Sequence, residues 1–116
     1  MDKFANSIRP FVSLEIAAAA AALGDSASFM HLERAHVLGQ AATREHARVH
    51  FHMLVWALRH RRAREVSGQL FRLLGAVTFT AIGMVPAGNT GGTNVSPFQK
   101  MAVEPDLAIL ITMAQR

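Results

Sequence analysis

Three successive stretches of the chain repeat apolar side chains at intervals of three and four residues, a period that commits them to packed helices. Phe11, Leu14, Ala18 and Ala22 share one arc of the first. Phe29, Leu32, Ala35 and Gly39 share one arc of the second, and Val49, Met53, Trp56 and Ala57 one arc of the third. Punctuation falls between them. Gly24-Asp25-Ser26 ends the first helix and opens the second, with Asp25 or Ser26 as N-cap, and Thr43 is placed to cap the third. The expected spans are about Ile8 to Leu23, with Pro10 in the first turn, then to about Leu38, with Gly39 near the end, and from Thr43 to about Arg61. A fourth helix starts near Arg64; its β-branched residues and glycine weaken the helical signal beyond Gly75. "VPAGNTGGTNVSPF", residues 85–98, has too much proline and glycine for regular structure and reads as an ordered loop. Pro105 and Asp106 begin a short final helix.

The expected fold is one all-α domain over residues 1–116. It has four main helices in two antiparallel hairpins, the Gly/Asn-rich loop and a short C-terminal helix. "AAAALGDSASFMHLERAHVLG" has the small-residue, Gly-Asp-turn flavour of tetratricopeptide hairpins, but two hairpins are too few for an array. The likeness therefore predicts hairpin packing and little about partners.

Composition narrows the chemistry. There is no cysteine, which removes disulfides and thiolate ligands and fits a cytoplasmic setting. "MDKFANSIRP" lacks the plan of a secretory signal. The net charge is +4, and "RHRRAR" (59–64) concentrates four arginines. Such a cluster meets phosphates or an anionic membrane surface, or simply ends a helix where cations complement the dipole; the helix end is the favoured reading. With no tyrosine and no aromatic-basic interleaving, nucleic-acid binding is disfavoured. No charged residue occurs from Leu73 to Gln99. The apolar part, Leu73 to Ala87, is short of the roughly 20 residues a membrane span needs, so a buried core helix is expected over an embedded one.

The histidines carry the functional signal. Five of the six lie in "HLERAHVLGQAATREHARVHFHM", residues 31–53. On a helix turning about 100° per residue, His46 and His50 fall on the apolar stripe of the third helix, four apart, the spacing two imidazoles need to reach one ion. His52 falls on the wet face. On the second helix His36 lies within the apolar arc and Glu33 at its margin, a Glu-x-x-His pair of the kind used in carboxylate-bridged bundles. His31 points well away from His36. Glu15 lies within the apolar arc of the first helix, where a carboxylate needs a cation, with Arg34 and Arg44 as candidates. The expected metal ligands are therefore His46, His50, His36, Glu33 and Glu15, with Glu33 also able to move protons. Nitrogen and oxygen donors without sulfur suit zinc, iron, manganese or nickel. A two-iron bundle carries two Glu-x-x-His pairs and this chain has one, which favours a mononuclear or irregular site. The competing reading makes each histidine a hydrogen-bonded core residue.

"HLERAHVLGQ", "HARVHFHML" and "VPAGNTGGTNVSPF" together resemble a small bacterial family catalogued as a domain of unknown function, whose members are single domains of about this length. The resemblance spans Leu32 to His36, Gly39, Gln40, His46, His50 and Gly88 to Ser96. It implies metal handling only by association, through relatives encoded near heavy-metal resistance genes. The functional expectation is a metal-binding helical protein, with scope to be a small metalloenzyme. The alternative is a helical-hairpin adaptor for a protein partner, and the weakest reading a peripheral membrane protein. Its apolar content would also suit a homodimer.

Overall fold

The computed structural model describes residues 2–81, Gly91 and residues 100–116. Among them are five α-helices: α1 (Lys3–Ala21), α2 (Asp25–Gly39), α3 (Thr43–Arg59), α4 (Ala63–Ala81) and α5 (Pro105–Ala114). The expected all-α fold is observed: α1 pairs with α2 and α3 with α4 as helical hairpins. α2 packs on α3, and α5 lies against α1 and α2.

Helix boundaries depart from expectation where caps decide them. α1 begins at Lys3, because the Asp2 carboxylate accepts a hydrogen bond from the Phe4 amide at 3.0 Å. Pro10 is therefore interior. The amide it lacks would have bonded the Asn6 carbonyl; both residues are exposed, so water can serve that group. α2 is capped by the Gly24 backbone and α3 by Ala42, neither with a side-chain bond, so the expected caps Asp25, Ser26 and Thr43 lie within the helices. The α1–α2 corner is tied instead from inside. The Ser28 hydroxyl donates to the Ala19 carbonyl at 2.8 Å, one of the four left without an intrahelical partner at the helix end, and accepts from the Trp56 indole N–H at 3.2 Å.

The core is the meeting of three arcs: Ile8 and Val12 from α1, Leu32, Ala35 and Leu38 from α2, and Val49, Met53 and Ala57 from α3, closed by Leu107 of α5. Gly39 lets α2 end tightly on α3, since a Cβ there would stand 3.0 Å from the Glu45 Cβ. That contact brings the last turn of α2, and His36 with it, beside the first turns of α3.

Two buried or half-buried charges are held by arginines. Glu45, 1% exposed, pairs with Arg9 of α1 at 3.0 Å and with Arg48 at 3.0 Å. Arg34 ties Glu15 to Glu104 and Asp106 at the start of α5. The RHRRAR segment is the expected helix end: Arg59 closes α3, His60 is its C-cap, and Arg62 pairs with Asp25.

On α4, Gln69 and Ala76 face inward, while Leu70, Phe71 and Leu74 are exposed. Of the segment expected to be a buried core helix, Leu73 to Ala87, the side chains beyond Ala76 lie outside the described residues. Among the described residues no helix is long and apolar enough to cross a membrane. Most of the Gly/Asn-rich segment expected to form an ordered loop lies outside the described residues.

Candidate metal centre

His36, near the C-terminal end of α2, meets His46 and His50, one turn apart on α3. All three are buried, at 3%, 7% and 3% exposure. They meet through the same atom: Nε2 of His36 lies 3.0 Å from Nε2 of His46 and 3.1 Å from that of His50, and the latter two are 3.1 Å apart. The rings approach edge-on or tilted, with centroids 4.7–4.9 Å apart, so the nitrogens converge on one point.

The tautomer of His50 follows from α4. The Gln69 side chain is fully buried, and its amide nitrogen donates to the Glu65 carboxylate at 3.0 Å and to the Gly91 carbonyl at 2.9 Å. Both partners are pure acceptors, so the amide orientation is fixed and Oε1 faces His50. Nδ1 of His50 must then carry the proton that it donates to Oε1 at 2.5 Å. Its Nε2 is left as a bare lone pair aimed at the other two rings. A histidine ligand oriented by a hydrogen bond to its second nitrogen is the usual support of a metal site.

Gly91 closes the arrangement. Its φ is +83°, and a Cβ there would come within 2.5 Å of His36 Cδ2 and 2.9 Å of Nε2. The backbone thus lies flat on the His36 ring, where only glycine fits. Its carbonyl also accepts from Arg72 at 2.9 Å.

The electrostatics keep the site uncharged. Burial, then the neighbouring His50, pushes His46 down to about 3. Burial likewise pushes His50 down to about 4; the Gln69 bond opposes it, the Arg72 charge adds to it and Glu65 offsets that charge. Near neutral pH both are unprotonated imidazoles, the form that binds metal.

Residues 6–111 match the family DUF3703, described as a protein of unknown function. The chain belongs to this family. Neither the curated proteins nor the solved structures contain a match.

In this DUF3703 chain the structure brings together three of the five residues expected to form the site. His36, His46 and His50 are the group within reach of one ion among the described residues. Glu15 is elsewhere: its two oxygens are bound by His31 Nδ1 at 2.8 Å and Arg34 Nε at 2.9 Å. Arg34, not Arg44, is the cation it needs. Glu33 is half-buried and lines an open depression with Asp25, Phe29, Trp56, Arg62 and Glu65. It is outside the three-nitrogen cluster. His52 is half-buried and, like His31, outside the cluster. Sequence reasoning missed Gln69 and the support it gives. Its signal is a polar stripe on an apolar helix: Glu65, Gln69 and Arg72 stand at i, i+4 and i+7 and share one face of α4.

Proposed function

We propose that the chain is a metal-binding helical protein with one mononuclear three-histidine centre at His36, His46 and His50. One observation carries this reading. Three nitrogens in mutual contact cannot alternate donor and acceptor around a triangle. With Nε2 of His50 bare, any placement of protons on the other two leaves at least one edge with two lone pairs or two N–H groups face to face. A single cation in contact with all three removes every such clash.

The dimensions fit. Imidazole nitrogens bind zinc at about 2.0–2.1 Å. An ion at that distance from each nitrogen could touch all three corners of this triangle at once. Three donors would leave it short of the usual four ligands. No further strong ligand arrives from the rest of the chain: residues 77–99 contain no His, Cys, Asp or Glu, and none joins the cluster among the described residues. Three protein ligands with an open position is the pattern of zinc sites that act on an exogenous molecule. All-imidazole ligation suits zinc, iron or nickel better than manganese, which favours oxygen donors.

The proton-carrying role expected of Glu33 is shared with Glu65 in this reading. Both line one depression, and Glu65 reaches the centre through Gln69. A bound ion would supply Lewis acidity; the chain supplies fixed imidazole orientation and a dry surround.

The test is metal titration of protein purified without an affinity tag. One zinc or nickel ion per chain is expected. The double variant His46→Ala, His50→Ala should lose it while keeping its helical circular dichroism, and His52→Ala should bind as the parent does. Equal binding by the double variant overturns the proposal.

A further inference from the structure

We infer that the open position of this centre takes a small oxyanion from solution, drawn in by Arg72. The inference rests on the three-histidine reading and deepens it by assigning a ligand class.

The starting point is charge. Three imidazoles bind as neutral groups, so a bound divalent ion keeps its full +2 charge among side chains that are at most 7% exposed. An uncompensated charge in such a place is strongly disfavoured. Proteins usually answer with a ligating carboxylate, and here none is in reach. Glu15 is occupied by His31 and Arg34, and Glu45 by Arg9 and Arg48. Glu33 lines the neighbouring depression rather than the cluster. Glu65 reaches the centre through the Gln69 amide rather than as a member of the cluster.

A cation on the same face of α4 offsets even that compensation. Arg72 donates to the same Gly91 carbonyl that Gln69 uses, and Gly91 lies against the His36 ring. Arg72 and Glu65 stand three and four residues either side of Gln69 on one face of α4, so their charges offset each other around it. The remaining +2 calls for an anion. A half-buried guanidinium beside a metal with a vacant position favours an oxyanion, because one oxygen can bind the ion while another accepts from the planar N–H fork. Carboxylates and bicarbonate have that shape and charge.

Metal and anion must then bind with positive coupling, each tightening the other. The experiment uses cobalt(II) as the metal and acetate as the probe, at constant ionic strength set with perchlorate. The visible spectrum of the cobalt-loaded protein should change saturably with acetate in the millimolar range, and cobalt should bind more tightly when acetate is present. Arg72→Gln should weaken acetate by about tenfold to a hundredfold, the worth of a charge-assisted hydrogen bond, read on protein first shown to hold one cobalt ion per chain. Arg72→Lys, which keeps the charge and helps if the glutamine variant folds poorly, should fall between them. A cobalt spectrum indifferent to acetate, or equal acetate affinity in all three proteins, overturns the inference and leaves the metal centre standing. Failure to bind cobalt at all removes both.

Discussion

Replacing Gly91 with alanine should dismantle the centre by way of a single ring. A Cβ at this position would stand 2.5 Å from Cδ2, 2.7 Å from Cγ and 2.9 Å from Nε2 of His36. Ordinary carbon contacts need about 3.5 Å or more, so ring and backbone must separate by about 1 Å. A metal ligand tolerates roughly 0.2 Å of displacement, which removes His36 from the ligand set. Metal affinity should fall at least tenfold, about 1.4 kcal/mol. Stability without metal should fall as well, for two separable reasons. Alanine at a φ of +83° costs about 1–2 kcal/mol, and the overpacking against His36 adds about 1–3 kcal/mol. The second part depends on the imidazole and the first does not. Urea unfolding in the presence of a chelator, run as a double-mutant cycle with His36→Ala, separates them. In the His36→Ala background, Gly91→Ala should cost only the backbone part and have no further effect on metal binding. Equal costs in both backgrounds, or an alanine variant that holds metal as the parent does, would refute the proposed contact.

Other consequences follow from the same geometry. Gln69→Leu leaves the Nδ1 proton of His50 without an acceptor in a buried position; it should cost about 1–3 kcal/mol of stability and about tenfold to a hundredfold in metal affinity, read by the same titrations. Because His46 and His50 are held down to about 3 and about 4 from 6.5, the unfolded chain binds more protons than the folded one below about pH 6.5. Metal-free stability must therefore fall as pH drops, at up to about 2.7 kcal/mol per pH unit for two sites; urea midpoints unchanged between pH 7 and 5 would contradict the neutral, buried pair. Arg34→Met frees Glu104 and Asp106 from the α2 side and strips Glu15 of its arginine, so stability should fall. The loss should appear first as faster amide exchange in α5, and unchanged protection there would show that the ion pairs do not hold it.

Periodicity made the helices and the inward histidines legible. The three-to-four spacing puts His46 and His50 on the face that carries Val49 and Met53, and His36 on the face that carries Leu32 and Ala35. Local cues say less, because each bears on one residue and not on its competitors. Pro10 reads as a first-turn residue only if Asp2, a sound cap eight residues earlier, is overlooked. Glu15 reads as a charge in need of a partner, but sequence alone does not rank an arginine above a metal ion, and the fold supplies Arg34 and His31. Gln69 was hidden by its surroundings. An apolar helix invites the assumption that its apolar side faces inward, yet α4 exposes Leu70, Phe71 and Leu74 and buries an amide. A buried amide needs partners, and the partners here are Glu65, the Gly91 carbonyl and a histidine of the site. The contact of Gly91 with His36 joins residues 55 positions apart, beyond what any periodic pattern encodes.

X-ray absorption at the zinc edge of stoichiometrically loaded protein puts the central proposal to its most direct trial. Three imidazole nitrogens at about 2.0–2.1 Å are expected, with the outer-shell scattering of ordered rings and one further oxygen at similar distance. A spectrum with fewer than three imidazoles, or with a protein carboxylate in their place, would show that the triangle of His36, His46 and His50 is packing and not a ligand set.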